Sequence, residues 1–429
     1  MSAISLLERF GRPLSSRRVS GLVCRACGQE HPVDAVNACD RCFGPLEVAY
    51  DYELLRGIVT RETIEAGPPS MWRYADLLPV EGVDPISLVT LGEGYTPLVH
   101  ARNLGAELGL RNLYVKNDTQ NPTNSFKDRV VSVALNWARG QGYTTMACAS
   151  TGNLANSVAA FAAHAGLRAI VFIPADLEPA KILGTAIYGA TIIPVDGSYD
   201  DVNRLCSELA DATDWAFCNI NVRPFYSEGS KTLTFETVEQ LGWRFPDEIV
   251  VPIASGCQFV KHRKALTELV ELGLVGSDAR TPRLTGAQAS GCSPVATAFA
   301  AGTDVIQPVR PDTIARSIAI GNPSDGSDAV RIARETGGVI GSVGEGEILD
   351  GIELLARSEG IFTETAGGVV IALLQNLARQ GRWAPDDTVV AYVTGHGLKT
   401  ANLLEPRMQS LEPVAPSLRV FRERFPDLC

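Results

Sequence analysis

The segment Asn121-Pro122-Thr123-Asn124-Ser125-Phe126-Lys127-Asp128-Arg129 joins a turn to a helix. The Asn-Pro pair and the polar residues after it are typical of a turn. The apolar-periodic run over residues 130–137 then predicts a helix, so Lys127 stands where the loop ends and the helix begins. Taken alone, a lysine at such a place is an ordinary solvated residue of a first helical turn.

A second junction of this kind follows the apolar segment at residues 145–149, which predicts a buried strand. It ends at Ser150-Thr151-Gly152-Asn153, and an Ala-rich run over residues 154–165 predicts a helix. A turn between a strand and a helix offers free backbone N–H groups to an anion. An ordinary helix cap is the alternative, because Ser, Thr and Asn are common capping residues.

Together the two segments resemble the pyridoxal phosphate (PLP) enzymes of the tryptophan synthase β-subunit family, known as fold type II. The resemblance implies that Lys127 carries the cofactor as a Schiff base and that Asn153 contacts the phenolic oxygen of the cofactor. It also implies that the loop from Ser150 through Thr151 to Gly152 binds the substrate carboxylate. Such a lysine must be partly desolvated so that its amine is available, and the freed amine is then held beside the substrate as a base.

The segment Val250-Val251-Pro252-Ile253 predicts a strand that runs through a turn of small residues into a helix. This arrangement aims backbone N–H groups and a helix N-terminus at a phosphate. By resemblance the turn is the cup for the cofactor phosphate, with less glycine than is usual in the family. The residues of this predicted cup are Ala254, Ser255, Gly256, Cys257 and Gln258.

Near the end of the chain, Thr394-Gly395-His396-Gly397-Leu398-Lys399 follows the last apolar strand. It resembles the threonine synthase branch of the family, and the resemblance implies that Thr394 hydrogen-bonds the pyridine nitrogen. A neutral hydroxyl favours a protonated ring less than a carboxylate does. Glu364 resembles a turn residue beneath the cofactor ring, and an ordinary carboxylate at a helix start is the alternative.

The segment Glu228-Gly229-Ser230-Lys231-Thr232 resembles the same branch, in which the preceding residues help to bind a substrate phosphate. We expect Lys116, Arg129 and Arg223 to be the cations that bind this phosphate. Arg223 is preferred because a planar guanidinium matches phosphate geometry. The family arginine usually lies closer to the glutamate, so a surface arginine is the alternative.

The resemblance implies a lyase of threonine biosynthesis that converts O-phospho-L-homoserine and water to L-threonine and phosphate. Two residues depart from the branch: Asn124 replaces a usual glycine, and Thr400 stands where Asp is common. A related enzyme for another phosphorylated amino acid, similar to cysteate synthase, is therefore an alternative. A threonine or serine dehydratase and a non-catalytic zinc-ribbon binding protein are the others.

Two C-x-x-C pairs precede this region, separated by eleven residues. Two such pairs can close a tetrahedral site of four sulfurs, as in a structural zinc ribbon. The predicted ligands are Cys24, Cys27, Cys39 and Cys42. The remaining cysteines are scattered singly, which is typical of reduced core residues.

Short apolar strands alternate with helices from residue 112 onward, which predicts parallel sheets covered by helices on both faces. We therefore expect an α/β protein with two doubly wound domains and a ligand in the cleft between them. The predicted divisions are a ribbon at 1–50, a linker and entry segment at 51–110, a smaller domain at 111–215 and a larger cofactor domain at 216–429.

The composition is that of an ordinary globular protein, with 45% hydrophobic and 20% charged residues over 429 positions. The 38 basic and 49 acidic residues give a net charge of −11, which opposes binding to nucleic acid or anionic lipid. No membrane span or secretory peptide is indicated, so we expect a cytoplasmic enzyme with a small-molecule substrate. The composition is compatible with a homodimer.

Overall fold

The computed structural model describes residues 18–34, 36, 38–81, 87–150, 152–175, 179–197, 199–407 and 412–428. Its strands are β1 Val19–Cys24, β2 Glu30–His31, β3 Leu46–Tyr50, β4 Leu98–His100, β5 Asn112–Asn117, β6 Thr145–Ala149, β7 Arg168–Pro174, β8 Thr191–Val195, β9 Ala216–Phe217, β10 Glu248–Pro252, β11 Arg283–Ala289, β12 Ile340–Val343 and β13 Thr388–Val393.

The α-helices are α1 Tyr52–Arg56, α2 Arg61–Glu65, α3 Arg102–Leu108, α4 Lys127–Gly140, α5 Asn153–Ala165, α6 Pro179–Ala186, α7 Tyr199–Ala212, α8 Arg223–Glu228, α9 Lys231–Gln240, α10 Cys257–Glu271, α11 Pro294–Ala300, α12 Gly326–Thr336, α13 Glu345–Glu359, α14 Thr365–Arg379 and α15 Leu418–Arg424. Six 3₁₀ segments complete the secondary structure of the described residues: Met71–Leu77, Asp118–Gln120, Arg316–Ile318, Gly397–Leu403, Glu405–Arg407 and Pro426–Leu428.

The larger sheet has six strands in the order β12-β11-β10-β13-β5-β4. All neighbouring pairs are parallel except β4 and β5 at one edge. Every residue of β10 is buried, as expected for a strand with helices on both faces. The alternation of apolar strands and helices therefore predicted the sheet type correctly.

The smaller sheet has four parallel strands in the order β8-β7-β6-β9. It lies entirely within residues 145–217, and β6 at its interior is fully buried. Strand β5, which the predicted boundaries assign to the smaller domain, pairs instead with β13 of the larger sheet. The domain boundaries stay a prediction, and a boundary after β5 would agree better with the pairing.

The N-terminal strands form a separate antiparallel sheet in the order β2-β1-β3. This sheet packs on the catalytic region through a buried cluster of charges around Glu228, at the end of α8. Glu228 accepts hydrogen bonds from Tyr50 at 2.8 Å and Lys264 at 3.0 Å. Lys231 lies 2.7 Å from the same carboxylate, and Lys261 also pairs with it.

The region predicted as a linker is not a loose connection. Met71, Trp72 and Tyr74 in its 3₁₀ segment are buried, and the Trp72 indole donates to Glu93 at 2.7 Å. Burial of aromatic side chains here contributes to the core of the catalytic region. Sequence reasoning missed this because prolines at 68, 69 and 79 favour a loop.

None of the helices in the described part of the chain is long and apolar enough to cross a lipid bilayer.

We predict that Glu228→Ala lowers the free energy of unfolding by about 3 kcal/mol, because it leaves buried ammonium groups without their shared acceptor. Chemical denaturation measures the change. Glu53→Ala is the control, because Glu53 has a side chain that is 92% exposed and pairs with Arg56 on the surface. It should change stability by less than about 0.5 kcal/mol. Equal effects of the two substitutions would contradict the proposed importance of the buried cluster.

Candidate active site

Helix α4 begins at Lys127, and the loop before it is fixed by the segment that follows β13. The backbone N–H of Phe126 donates to the Thr394 carbonyl at 2.9 Å. The N–H of His396 donates to the Asn124 carbonyl at 3.0 Å, and Ser125 forms a bridge with Gly395. Two motifs from opposite ends of the catalytic region therefore lie side by side.

Asn124, a departure from the family pattern, has a left-handed backbone conformation with φ = 60°. Glycine adopts this conformation at no steric cost, and Asn is among the other residues that tolerate it best. Its side chain is exposed. The substitution is therefore explained by the turn, and it carries no separate indication of substrate.

The Lys127 amine is enclosed by aromatic groups. Its Nζ donates to the Tyr226 hydroxyl at 3.2 Å and lies 4.9 Å from the centre of the Phe126 ring. Burial lowers the pKa of Lys127, against the opposing influence of Cys257 and Glu364. This is the desolvation that an amine needs in order to act as a nucleophile near neutral pH.

Asn153 begins α5 and points toward the start of α14. Its side-chain nitrogen donates to Glu364 at 2.9 Å, and Ser317 also donates to this carboxylate at 3.4 Å. Burial raises the pKa of Glu364. A side chain added at Gly395 would overlap Glu364, so this glycine permits the close approach of the two loops. The resulting cluster places Asn153 beside the loop that carries Thr394.

The turn between β10 and α10 has the shape of a phosphate cup. Gly256 has φ = 89°, and a Cβ atom there would lie 2.7 Å from the Asp325 carbonyl oxygen, so both conformation and space require glycine. The Asp325 N–H donates to the Ser255 carbonyl at 2.8 Å and fixes the turn. First-turn N–H groups of α10 have no intrahelical acceptors, and they face the end where an anion would bind.

The remaining residues of the predicted cup share an intermediate exposure. Ala254, Ser255, Cys257 and Gln258 are partly buried, and Gln258 lies 3.2 Å from a ring nitrogen of His262. Cys257 is close enough to Lys127 to influence its pKa. The donor set, a desolvated amine near a turn lined by N–H groups, therefore fits a phosphorylated aldehyde cofactor.

Arg223 is partly buried at the start of α8. One guanidinium nitrogen donates to Ser324 at 2.7 Å and also to the Asp325 carboxylate. Arg223 and the cup are thus joined through Asp325. The structure therefore places this predicted residue near the turn between β10 and α10.

Lys116 and Arg129 do not support the prediction that they bind the substrate. Lys116 is fully buried, lies 2.7 Å from Glu236 and donates to the Thr96 carbonyl at 2.6 Å. Arg129 is also fully buried, and all three of its nitrogens donate to neighbours that include Asp118 and Glu236. Both charges are already compensated, so we interpret these residues as part of the structural core.

The loop after β6 was predicted to bind the substrate carboxylate. Ser150 and Gly152 are described, and the Gly152 N–H donates to the Ser150 hydroxyl at 3.3 Å. Apart from its chain neighbours, no atom of the described residues lies within 4 Å of a Cβ placed at Gly152, so this part of the chain leaves open space beside it. Thr151 lies outside the described residues.

The four N-terminal cysteines converge as predicted. The sulfurs of Cys24 and Cys42 are 3.5 Å apart, those of Cys27 and Cys39 are 3.7 Å apart, and all four lie within 4.8 Å of one another. Gly44 packs against this cluster, with a hypothetical Cβ 2.8 Å from the Cys24 sulfur. The sulfurs are therefore gathered in a compact set with room only for a small group.

Tyr226 and Asp325 are site residues that sequence reasoning missed. Tyr226 lies two positions before Glu228, in the segment where the family arginine was expected. The absence of an arginine at that place in the sequence could have drawn attention to Tyr226. No comparable signal pointed to Asp325, because its contacts with Arg223 and Ser255 join distant parts of the chain.

The fold and this site define the class of PLP-dependent enzymes of fold type II. The family described as pyridoxal-phosphate dependent enzyme matches residues 89–395. The chain belongs to that family.

Its relatives include several threonine synthases. The chain is 38% identical to the threonine synthase of Methanocaldococcus jannaschii over 378 residues, which cover 88% of this chain and 92% of that protein. It is also 38% identical to the threonine synthase of Methanosarcina acetivorans over 381 residues, with the same two coverages.

Solved structures agree with the fold. Maize serine racemase superposes with a TM-score of 0.59 at 21% identity, covering 73% of this chain and 92% of that chain. A processed threonine deaminase isoform from Solanum lycopersicum gives a TM-score of 0.61 at 20% identity, covering 78% and 86%. At these identities the likeness concerns the fold alone.

We predict that Asn124→Gly changes the free energy of unfolding by less than about 0.5 kcal/mol, whereas Asn124→Val lowers it by about 2 kcal/mol. The reason is the left-handed backbone, which β-branched residues strongly disfavour. The exposed side chain gives no packing reason for a difference. Chemical denaturation measures the free energy of unfolding of both variants, and the absorbance of bound cofactor shows whether the site still binds PLP. Equal stability of the Gly and Val variants would show that the turn does not require a left-handed residue.

Proposed function

We propose that this chain is a threonine synthase, which converts O-phospho-L-homoserine and water to L-threonine and phosphate. The observation that carries the proposal is the 38% identity that extends over 92% of a threonine synthase. The lysine-centred site, assembled from segments across the matched region, supports it.

Lys127 is the residue that would hold the cofactor. When bound, the cofactor supplies an aldehyde for this amine and an electron-withdrawing ring that makes the substrate Cα–H acidic. Because burial lowers the pKa of Lys127, its amine is available as a base once the substrate has taken its place. It would then take protons from Cα and Cβ as the Cγ–O bond breaks and phosphate leaves, and it would return one proton to Cγ, which becomes the methyl group of threonine. Water would then add at Cβ, and a proton would return to Cα.

Three other parts of the site would orient the cofactor. The turn from Ala254 to Gln258 would hold the phosphate through its N–H groups, Asn153 would face the phenolic oxygen, and Thr394 would face the ring nitrogen. Asn153 donates to buried Glu364, and the Thr394 carbonyl is fixed by Phe126. These positions are therefore held by neighbours before any ligand binds.

The substrate presents two anionic groups. We assign its carboxylate to the loop at Ser150 and Gly152, where the helix start of α5 favours an anion. We assign its phosphate to the neighbourhood of Arg223, which can exchange its contact with Ser324 for a phosphate oxygen. Lys116 and Arg129 are left out of this assignment because they are buried and paired.

We predict that purified protein releases phosphate from O-phospho-L-homoserine and forms threonine in equal amount. The reason is the paired demand of the site for a carboxylate and a phosphate. The assay incubates the protein separately with phosphohomoserine, phosphoserine and threonine and measures phosphate, threonine and 2-oxoacid.

Lys127→Ala is the control, and it should lose both the activity and the absorbance of the bound cofactor. Phosphate release from phosphoserine alone would favour the alternative of β-replacement on another phosphorylated amino acid. Formation of a 2-oxoacid from threonine, without phosphate release from either phosphorylated compound, would favour a dehydratase.

We also propose that the four N-terminal cysteines bind a structural zinc ion. Zinc with four thiolates at about 2.3 Å in a tetrahedron places the sulfurs about 3.8 Å apart. The distances of 3.5 Å and 3.7 Å in this cluster are close to that value. Four protein ligands leave no open position, so the ion would have no catalytic role.

Protein purified without chelator should contain about one zinc per chain, measured by elemental analysis. Cys27→Ser should lower this content and the melting temperature, because the exposed thiolate is one of the four ligands. Cys206→Ala is the matched control, since Cys206 lies on α7, is buried against the smaller sheet and is far along the chain from the cluster. Zinc far below one per chain in wild-type protein would rule the site out.

A further inference from the structure

The first cysteine pair carries an arginine that reaches into the catalytic region. Arg25 lies between Cys24 and Cys27, and its guanidinium pairs with Asp325 and, at 3.1 Å, with Asp328. The surrounding backbone is ordered, because the Arg25 N–H donates to the Pro45 carbonyl at 3.0 Å. The Gly28 N–H similarly donates to the Cys24 carbonyl at 2.8 Å. The loop between Cys24 and Cys27 therefore holds this guanidinium in a defined position.

Asp325 is one of the two carboxylates that pair with Arg25, and it also contacts the turn of the predicted phosphate cup. The Asp325 side chain is only 2% exposed. Its backbone N–H donates a hydrogen bond to the Ser255 carbonyl, and its backbone packs against Gly256. One carboxylate oxygen accepts from Arg25 and the other from Arg223. A small cavity between the ribbon and the cup is lined by these two arginines, Asp325 and Cys257, among others.

Two arginines share the Asp325 carboxylate, and one of them comes from the ribbon. Asp328 pairs with Arg25 and Arg331, and Arg331 also lies 3.9 Å from Asp304. Without Arg25, Arg223 would be the one remaining partner of Asp325 among these arginines. A buried carboxylate beside the cup would then oppose a phosphate dianion, and Arg223 would be less free to bind one.

We propose that Arg25 is a positioning residue for the phosphate-binding end of the active site, acting through Asp325. This inference rests on the proposed function to the extent that the turn at Ser255 holds the cofactor phosphate. The cysteine ribbon is then an integral part of the active site, since it supplies one of the two arginines that pair with Asp325. An Arg–Asp–Arg bridge couples the ribbon to the phosphate-binding end.

The test is a titration of cofactor-stripped protein with PLP, followed by fluorescence or absorbance. Arg25→Ala should raise the dissociation constant about 10-fold, the effect of losing one charged hydrogen-bonded pair. Arg25→Lys should recover part of the affinity, because it restores the charge without the planar geometry. In turnover, Arg25→Ala should raise KM for the phosphorylated substrate more than it lowers kcat.

Arg41→Ala is the matched control. Arg41 lies in the second cysteine pair, between Cys39 and Cys42, and is exposed to solvent. It should leave the dissociation constant within about twofold of wild type. Zinc content, measured on all variants, should be unchanged, which separates loss of the arginine from loss of the ribbon.

A double-mutant cycle with Asp325→Asn tests the route. Once the carboxylate is gone, Arg25→Ala should change PLP affinity by less than about twofold, because its partner has been removed. An equal loss of affinity with and without Asp325 would overturn the proposal, as would an Arg25→Ala variant that binds PLP like Arg41→Ala. The titration needs no amino-acid substrate, so protein that binds PLP without processing phosphohomoserine would contradict the proposed activity alone.

Discussion

The active site depends on two backbone hydrogen bonds between the start of α4 and the end of β13. They join Phe126 to Thr394 and Asn124 to His396. Because β13 is an interior strand of the larger sheet and its last five residues are buried, this pairing ties the Lys127 loop to the core of that sheet. The loop must bend sharply to make both bonds, and the left-handed Asn124 provides the bend. The position of the reactive amine is thus set by main-chain geometry.

Much of this arrangement could be predicted from the sequence. Strand β6 has the predicted bounds, and helix α5 begins one residue before the alanine-rich run that predicted it, because short buried strands and alanine-rich helices have distinct patterns. The approximate place of the lysine was also predictable from its turn. The role of Asn124 could not be predicted, because the sequence shows only that a usual glycine is missing. The backbone angle φ shows that Asn124 adopts the left-handed conformation for which glycine is favoured.

The fate of individual charged residues could not be predicted, because burial and pairing are properties of the tertiary structure. Lys116 and Arg129 flank the lysine motif and seemed suitable for a phosphate, yet Glu236, which comes from a helix over a hundred residues away, compensates both. Arg25 shows the opposite case. Its partner Asp325 is 300 positions away, and no local pattern connects a cysteine knuckle to a phosphate cup.

These contrasts explain how the fold makes one lysine reactive among several that are buried. Lys261 is desolvated too, but Glu228 and Glu47 are ion-paired with it and raise its pKa. Among the described residues no carboxylate is recorded within ion-pair distance of Lys127, whose close neighbours are the Tyr226 hydroxyl and the Phe126 ring. Desolvation therefore prevails and its pKa falls. Glu364, the nearby acid, is itself buried with a raised pKa, which weakens one of the two influences that would keep the lysine charged; Cys257 is the other. Burial also lowers the pKa of Lys116, but that ammonium is ion-paired with Glu236 at 2.7 Å. Lys127 therefore differs from Lys116 in having a desolvated amine that no carboxylate of the described residues holds in an ion pair.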